Sequence, residues 1–283
     1  TALIQRENPD IIIGYNIFGF DYEFMFQRAI ANECAPQFLE LSRQIGFSPT
    51  SYNKDEEMEY PALENNKIVI ASGEYDLRFP LTPGRLQIDM YAYFRRDFNL
   101  SSYKLDDVAG EFISDSIKKI EFQDGKTHLY SKNLAGLNID DFIHIKINGF
   151  SSDYYNDGQK FRVKDILYGV ETESGKYNVI CIDGILDDTI KDKSIEWTMA
   201  KDDITPQDIF RLSCGTPADK AIVAKYCIQD CNLVHHLMNK IDVITGYIEM
   251  SSICSVPISY LVFRGQGIKL TSYVAKKCRE KNT

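Results

Sequence analysis

No run among these 283 residues approaches the ~18 uninterrupted apolar positions that a membrane-crossing helix requires, so a helical membrane span is excluded. The seven cysteines are odd in number and contain no C-x-x-C pair, which argues against a disulfide scaffold and for a reducing, intracellular compartment. Inert, buried thiols are the expectation. Cys227, Cys231 and His235 fall on one helix face, yet no second ligand cluster stands at the spacing of a zinc finger. Histidine is scarce: His128, His144, His235 and His236 are the full complement. Neither H-e-x-x-H nor G-x-S-x-G occurs, nor a phosphate-binding Walker loop, and Gly265-Gln266-Gly267 is too short for a dinucleotide fingerprint. Zinc-protease, serine-hydrolase, P-loop and dinucleotide chemistries are thereby set aside. The sequence opens without Met and without a signal-peptide pattern, and we read it as an internal piece of a longer protein.

Positive charge is also in deficit, with a net charge of −9, which at first disfavours a nucleic-acid partner. Its distribution qualifies that. Residues 257–283 hold Arg264, Lys269, Lys276, Lys277, Arg279 and Lys281 against Glu280, a local balance of +5 that suits either phosphate contact or a solvated helix face. Residues 115–200 instead sum to −4, a poor nucleic-acid clamp.

Along the chain, Ile11-Ile12-Ile13 is a β-branched run typical of a buried strand, and the helical spacing of Phe24, Met25, Arg28 and Ala29 follows from Asp21 onward. Residues 42–66 read as an irregular surface excursion. Lys67 to Ala71 and Arg85 to Met90 read as strands, Tyr91 to Asp97 and Ser102 to Ile113 as helices, with Ser102 as N-cap. Between Asp115 and Ala200 short alternating runs are separated by Asn-Gly, Asp-Gly and Ser-Gly turns, the pattern of a small β-rich insertion. Thr205-Pro206 and Thr216-Pro217-Ala218-Asp219 then open helices, the second predicted to run to about Ile244. The whole is an α/β domain interrupted by a β module.

Two carboxylates stand out. Asp21 closes Gly14-Tyr15-Asn16-Ile17-Phe18-Gly19-Phe20-Asp21 between a strand and a helix, and Asp230 lies one helical turn after Tyr226. Hard carboxylate oxygens from distant segments suit Mg²⁺ or Mn²⁺, in a site where two metals ~3.5–4 Å apart stabilise an in-line displacement at phosphorus. Tyr226 could hydrogen-bond the attacking water. The competing reading makes Asp21 a helix N-cap and Asp230 a surface residue.

In combination these stretches resemble family B DNA polymerases in their 3′–5′ exonuclease region. Ile13-Gly14-Tyr15-Asn16 through Phe20-Asp21 is similar to the family's second exonuclease motif, and Tyr226 through Asp230 to the third, Tyr-x-x-x-Asp. Gly84-Arg85-Leu86-Gln87-Ile88-Asp89 and Leu100 to Leu105 resemble the segment between those motifs in delta-type polymerases. Val256 to Tyr260 and Arg264 to Lys269 resemble the lead-in to the polymerase domain. The wording around Lys225 to Cys231, with the insertion, looks most like polymerases of large nucleocytoplasmic DNA viruses.

The resemblance implies an RNase H-like exonuclease fold and two Mg²⁺ (or Mn²⁺) ions. Asp21 and Asp230 would be metal ligands, Tyr226 the water-orienting residue, and Asn16, Phe20, Arg264 and Lys269 DNA contacts. It implies DNA primer-template and a single-stranded 3′ end as partners, deoxynucleotides and a processivity factor for the parent enzyme, and a viral replication site in host cytoplasm or nucleus. The expected division is residues 1–114 as the first part of the exonuclease domain, 115–200 as the insertion, 201–248 as its completion and 249–283 as the truncated lead-in. The family's first motif, Asp-x-Glu, and its polymerase motifs have no match here, so the chain by itself is expected to be inactive. A stand-alone exonuclease of the same fold and an inactive nuclease-like scaffold are the alternatives.

Overall fold

A computed structural model describes residues 1–54, 57–70, 73–123, 125–149, 152–187, 190, 193–200 and 204–282. The chain forms two compact units: residues 1–101 with 242–283, and residues 102–241.

The first unit is built around two short strands, Ile11–Gly14 and Leu86–Asp89, paired in parallel with Ile13 opposite Ile88 and Gly14 opposite Asp89. Parallel pairs require a crossover. Here it comprises a π-helical turn (Ile17–Asp21), helices Tyr22–Ala31 and Ala35–Leu39, and two antiparallel hairpins, Thr50–Asn53 with Met58–Pro61 and Glu64–Ile70 with Gly73–Phe79. Residues 42–66, expected to be irregular, therefore contain one complete hairpin and the start of another. Their exposed, polar pairs leave no apolar alternation to read. The Lys67–Ala71 strand begins earlier, at Glu64, and Ala71 lies outside the described residues.

Helix Met90–Asp97 follows the second parallel strand. Phe18, 1% exposed, packs with Phe79 and Phe263 at ring centroids of 5.6 and 5.5 Å, beside Tyr22. Arg96 bonds Asp97 at 2.7 Å and donates to the Leu261 carbonyl and the Tyr247 hydroxyl, tying this helix to Val243–Cys254 and Ile258–Phe263.

The second unit opens with helix Leu105–Phe112. Ser102 does not cap it: Lys104 holds the N-cap position, and the Ser102 hydroxyl donates to Asp107 instead. Among the described residues seven antiparallel strands follow: Ser114–Gln123, Lys126–Ser131, Phe142–Asn148, Asp153–Tyr154, Phe161–Thr172, Gly175–Asp183 and Ser194–Ala200. Phe142–Asn148 pairs with Phe161–Thr172 on one side and with Ser194–Ala200 on the other. Six of the strands thereby close into a barrel, which removes the sheet edges that would otherwise invite pairing with another chain. Its interior is filled by Leu129, Ile143, Ile145, Val163, Ile180, Ile182 and Trp197, each at most 1% exposed. The one polar atom of Trp197 donates to Ser131 at 3.0 Å, and Ser131 donates in turn to Asp115 at 2.6 Å, so the indole N–H is not buried unpaired.

Helices Pro206–Ser213 and Pro217–Lys240 complete this unit, each opened by a capping box, Thr205 with Asp208 and Thr216 with Asp219. The long helix stops at Lys240 rather than continuing to Ile244. Asp242 adopts φ +49° and separates it from Val243–Cys254. The thiols also depart from expectation: Cys181 and Cys254 are buried, whereas Cys34, Cys214, Cys227, Cys231 and Cys278 are exposed.

Candidate functional site

The segment Gly14–Asp21 turns sharply because its residues leave no other course. Asn16 sits in the left-handed region at φ +61°, a conformation that asparagine tolerates better than branched residues. A Cβ on Gly14 would lie 2.2 Å from Ile17 Cγ2, and one on Gly19 would lie 2.3 Å from Asn16 Oδ1, so a side chain at either position would force Ile17 or the Asn16 amide to shift. Phe18 plugs inward and Phe20 points out. Phe20, 60% exposed, stacks on Phe24 with centroids 5.8 Å apart and rings 12° from parallel. Asp21 ends the turn half-buried, and burial raises its carboxyl above the usual range. It stands at the N-cap position of helix Tyr22–Ala31 but makes no side-chain capping bond there.

What holds this turn is a residue to which the sequence reading gave no role. Asp89, 3% exposed, ends the strand that registers against Gly14. Its Oδ1 accepts the N–H of Asn16 at 2.7 Å and of Tyr91 at 2.9 Å, and its Oδ2 accepts that of Phe18 at 3.0 Å. One carboxylate thus caps helix Met90–Asp97 and pins the turn between Gly14 and Asp21. The available signal was an Asp at a strand-to-helix boundary, an N-cap pattern. Nothing in the sequence linked it to residues more than 70 positions away.

Burial pushes the Asp89 carboxyl up to about 6, against the opposing effect of its backbone donors. Because the folded state holds that proton more tightly than the unfolded chain, this group's contribution to stability is full below about pH 4 and is lost as pH rises to about 6. A carbon-13 titration of the Asp89 carboxyl should show a midpoint near 6. A midpoint at or below 4 would mean that the amide donors outweigh burial.

In the second unit, Tyr226 and Asp230 lie half-buried on helix Pro217–Lys240 and open into one pocket with Gln229, Leu233 and His236. Asn232 also lines it, and the facing wall comes from Gly136, Asn138, Asp141, Phe142, Met199 and Ala200. The structure therefore brings Tyr226 together with Asp230, and Asn16 and Phe20 together with Asp21, in separate units. Arg264 is exposed after helix Ile258–Phe263 with its guanidinium 5.7 Å from the Tyr260 ring centroid. Lys269 is half-buried on helix Gln266–Lys281, where desolvation lowers its ammonium pKa. Lys276 donates to the carbonyls of Ser252 and Ile253, and Lys277 pairs with Glu280 at 2.7 Å, so part of the basic cluster is spent within the fold. Among the described residues no group of three or more His, Cys, Asp or Glu is placed to hold a metal, and no helix is long and apolar enough to cross a membrane. The oxygen donors of Asp21 and Asp230 have the hard character that Mg²⁺ prefers.

Residues 1–108 match the exonuclease domain of DNA polymerase family B. Over its full length the chain is 44% identical to the DNA polymerase of Phaeocystis pouchetii virus, covering 26% of that protein. It is 38% identical to the DNA polymerase of Pyramimonas orientalis virus over 99% of the chain and 20% of the relative. A DNA polymerase delta catalytic subunit of Glycine max matches at 23% identity over 99% of the chain and 17% of the relative. The chain thus spans between 17% and 26% of the length of these three relatives.

Proposed function

We infer that this chain, whose first 108 residues carry the exonuclease-domain sequence of DNA polymerase family B, contributes two of the three classic motif segments of a 3′–5′ proofreading nuclease within a replicative polymerase. The observation that carries this reading is the turn at Gly14–Asp21, which presents a half-buried carboxylate free of capping duty and held from behind by Asp89.

In this reading Asp21 and Asp230 hold divalent metal, Mg²⁺ or Mn²⁺ in two positions. The bound ions would supply charge stabilisation for the attacking and leaving oxygens of phosphodiester hydrolysis. Tyr226 orients the water through its hydroxyl. Phe20, exposed and braced by Phe24, offers a face on which the base of a single-stranded 3′ end can stack, with Asn16 beside it. Arg264 and Lys269 would contact the DNA backbone.

The parallel pair Ile11–Gly14 and Leu86–Asp89 supports an RNase H-like arrangement. Parallel sheets occur almost always with both faces covered, and a two-strand pair is a small part of such a sheet. The first motif, Asp-x-Glu, would arrive on a further strand. The whole protein would act on primer-template DNA with deoxynucleotides and a processivity factor, inside an infected cell at the site of viral replication. Residues 115–200 are proposed as an inserted module and 249–283 as the lead-in to the polymerase domain.

The test follows from the incomplete ligand set. The isolated 283-residue chain with Mg²⁺ should leave 3′-labelled single-stranded DNA intact, whereas the full-length protein should shorten it. Shortening by the isolated chain that disappears in Asp21→Ala would overturn the assignment of the remaining ligands to another segment.

A further inference from the structure

The loop Leu134–Phe142 of the β module is fixed from both sides. Leu134 and Leu137 are buried at 5% and 3% exposure. Asp140 donates its N–H to the Val163 carbonyl at 2.9 Å, and Val163 donates back to the Asp141 carbonyl at 2.8 Å. At Gly136, φ +94°, an added Cβ would stand 3.3 Å from Ile113 Cγ2 and 3.7 Å from His236 Cβ, so this loop runs close against the long helix that carries Tyr226 and Asp230. Beyond that contact the Asp141 carboxylate accepts the Asn138 N–H at 2.7 Å and its side-chain amide at 3.3 Å. Asn138 is exposed and lines the same pocket as Tyr226 and Asp230.

We propose that the β module forms part of the nuclease pocket: Asn138 contacts the 3′-terminal nucleotide beside Tyr226 and Asp230, and Asp141 is the positioning residue that holds Asn138 toward it. An asparagine amide can both donate and accept, which suits the sugar hydroxyl or the base edge of a terminal nucleotide. The module is acidic overall and so is unsuited to gripping a phosphate backbone, but a single neutral amide at the pocket rim needs no basic surface. The inference rests on the nuclease reading above.

The test measures hydrolysis of 3′-labelled single-stranded DNA by the full-length protein carrying Asn138→Ala, Asp141→Ala, Asp141→Asn or Asp230→Ala. Asn138→Ala should raise KM about fivefold, the order of one neutral hydrogen bond, with kcat and polymerisation unchanged. Asp141→Ala should reproduce that effect. Asp141→Asn should restore most of the wild-type KM, because its carbonyl oxygen can still accept the Asn138 N–H. A KM within experimental error of wild type in Asn138→Ala, while Asp230→Ala abolishes hydrolysis, would overturn the role of the module and leave the nuclease reading intact. Undiminished hydrolysis in Asp230→Ala would sink both.

Discussion

Replacing Asp21 by alanine in the full-length protein is expected to reduce shortening of a 3′-labelled single strand by at least roughly 1,000-fold, since a metal that stabilises developing charge is worth several kcal/mol. Polymerisation should be unaffected. Stability should change little, within about 0.5 kcal/mol, because the carboxylate makes no capping bond to lose. That combination separates a ligand from a structural residue. If Asp21 were the helix cap of the competing reading, alanine would cost about 1 kcal/mol and leave hydrolysis near wild type. Asp230→Ala should match the kinetic result, although Asp230 is set on a different helix of the other unit.

The second large effect belongs to Asp89. Alanine there leaves the N–H groups of Asn16, Phe18 and Tyr91 without their acceptor, the Phe18 group fully buried and the other two partly so, and a buried loss of this kind costs about 1–3 kcal/mol. Relief from burying a carboxylate offsets part of this, so urea unfolding should report a net loss of about 3 kcal/mol. Hydrolysis should fall with it, because the turn that places Asn16, Phe20 and Asp21 is then held at one end only. A stability change below about 0.5 kcal/mol, the level of an ordinary surface substitution, would show that the turn is maintained by its glycines and by Phe18 without Asp89. Gly19→Ala offers an independent check on the same turn: it drives a methyl group into the Asn16 amide and should weaken hydrolysis while leaving Asp89 bonded.

Local patterns in the sequence were enough to read the elements that carry the motifs. Ile11-Ile12-Ile13 forms its strand, half-buried rather than buried as expected, because β-branched residues favour the extended backbone, and the Thr216–Asp219 box starts the Tyr226–Asp230 helix through reciprocal bonds three residues apart. What stayed hidden depends on partners distant in the chain. Asp89 acquires its role from a register that sets it against Gly14, and barrel closure depends on Phe142–Asn148 meeting Ser194–Ala200. The Thr50–Asn53 hairpin was missed because its residues are almost all exposed, leaving no alternation to detect. The end of the long helix was missed for a local reason, since Asp242 interrupts an unbroken apolar pattern by adopting a left-handed conformation that the sequence does not announce. Phe24 was legible as part of a helical stripe but not as the brace of Phe20, which needed the ring geometry.

The most direct test of the central claim is to locate metal in the full-length protein. Crystals soaked in Mn²⁺ with a short single-stranded 3′ end should show anomalous density about 2.0–2.2 Å from carboxylate oxygens of both Asp21 and Asp230, the octahedral distance expected of a small hard cation of the Mg²⁺ class. Density at both residues, lost in Asp21→Ala, is the predicted result. Density confined to another site, with Asp21 and Asp230 unoccupied at saturating Mn²⁺, would contradict their role as the ligands of a proofreading nuclease.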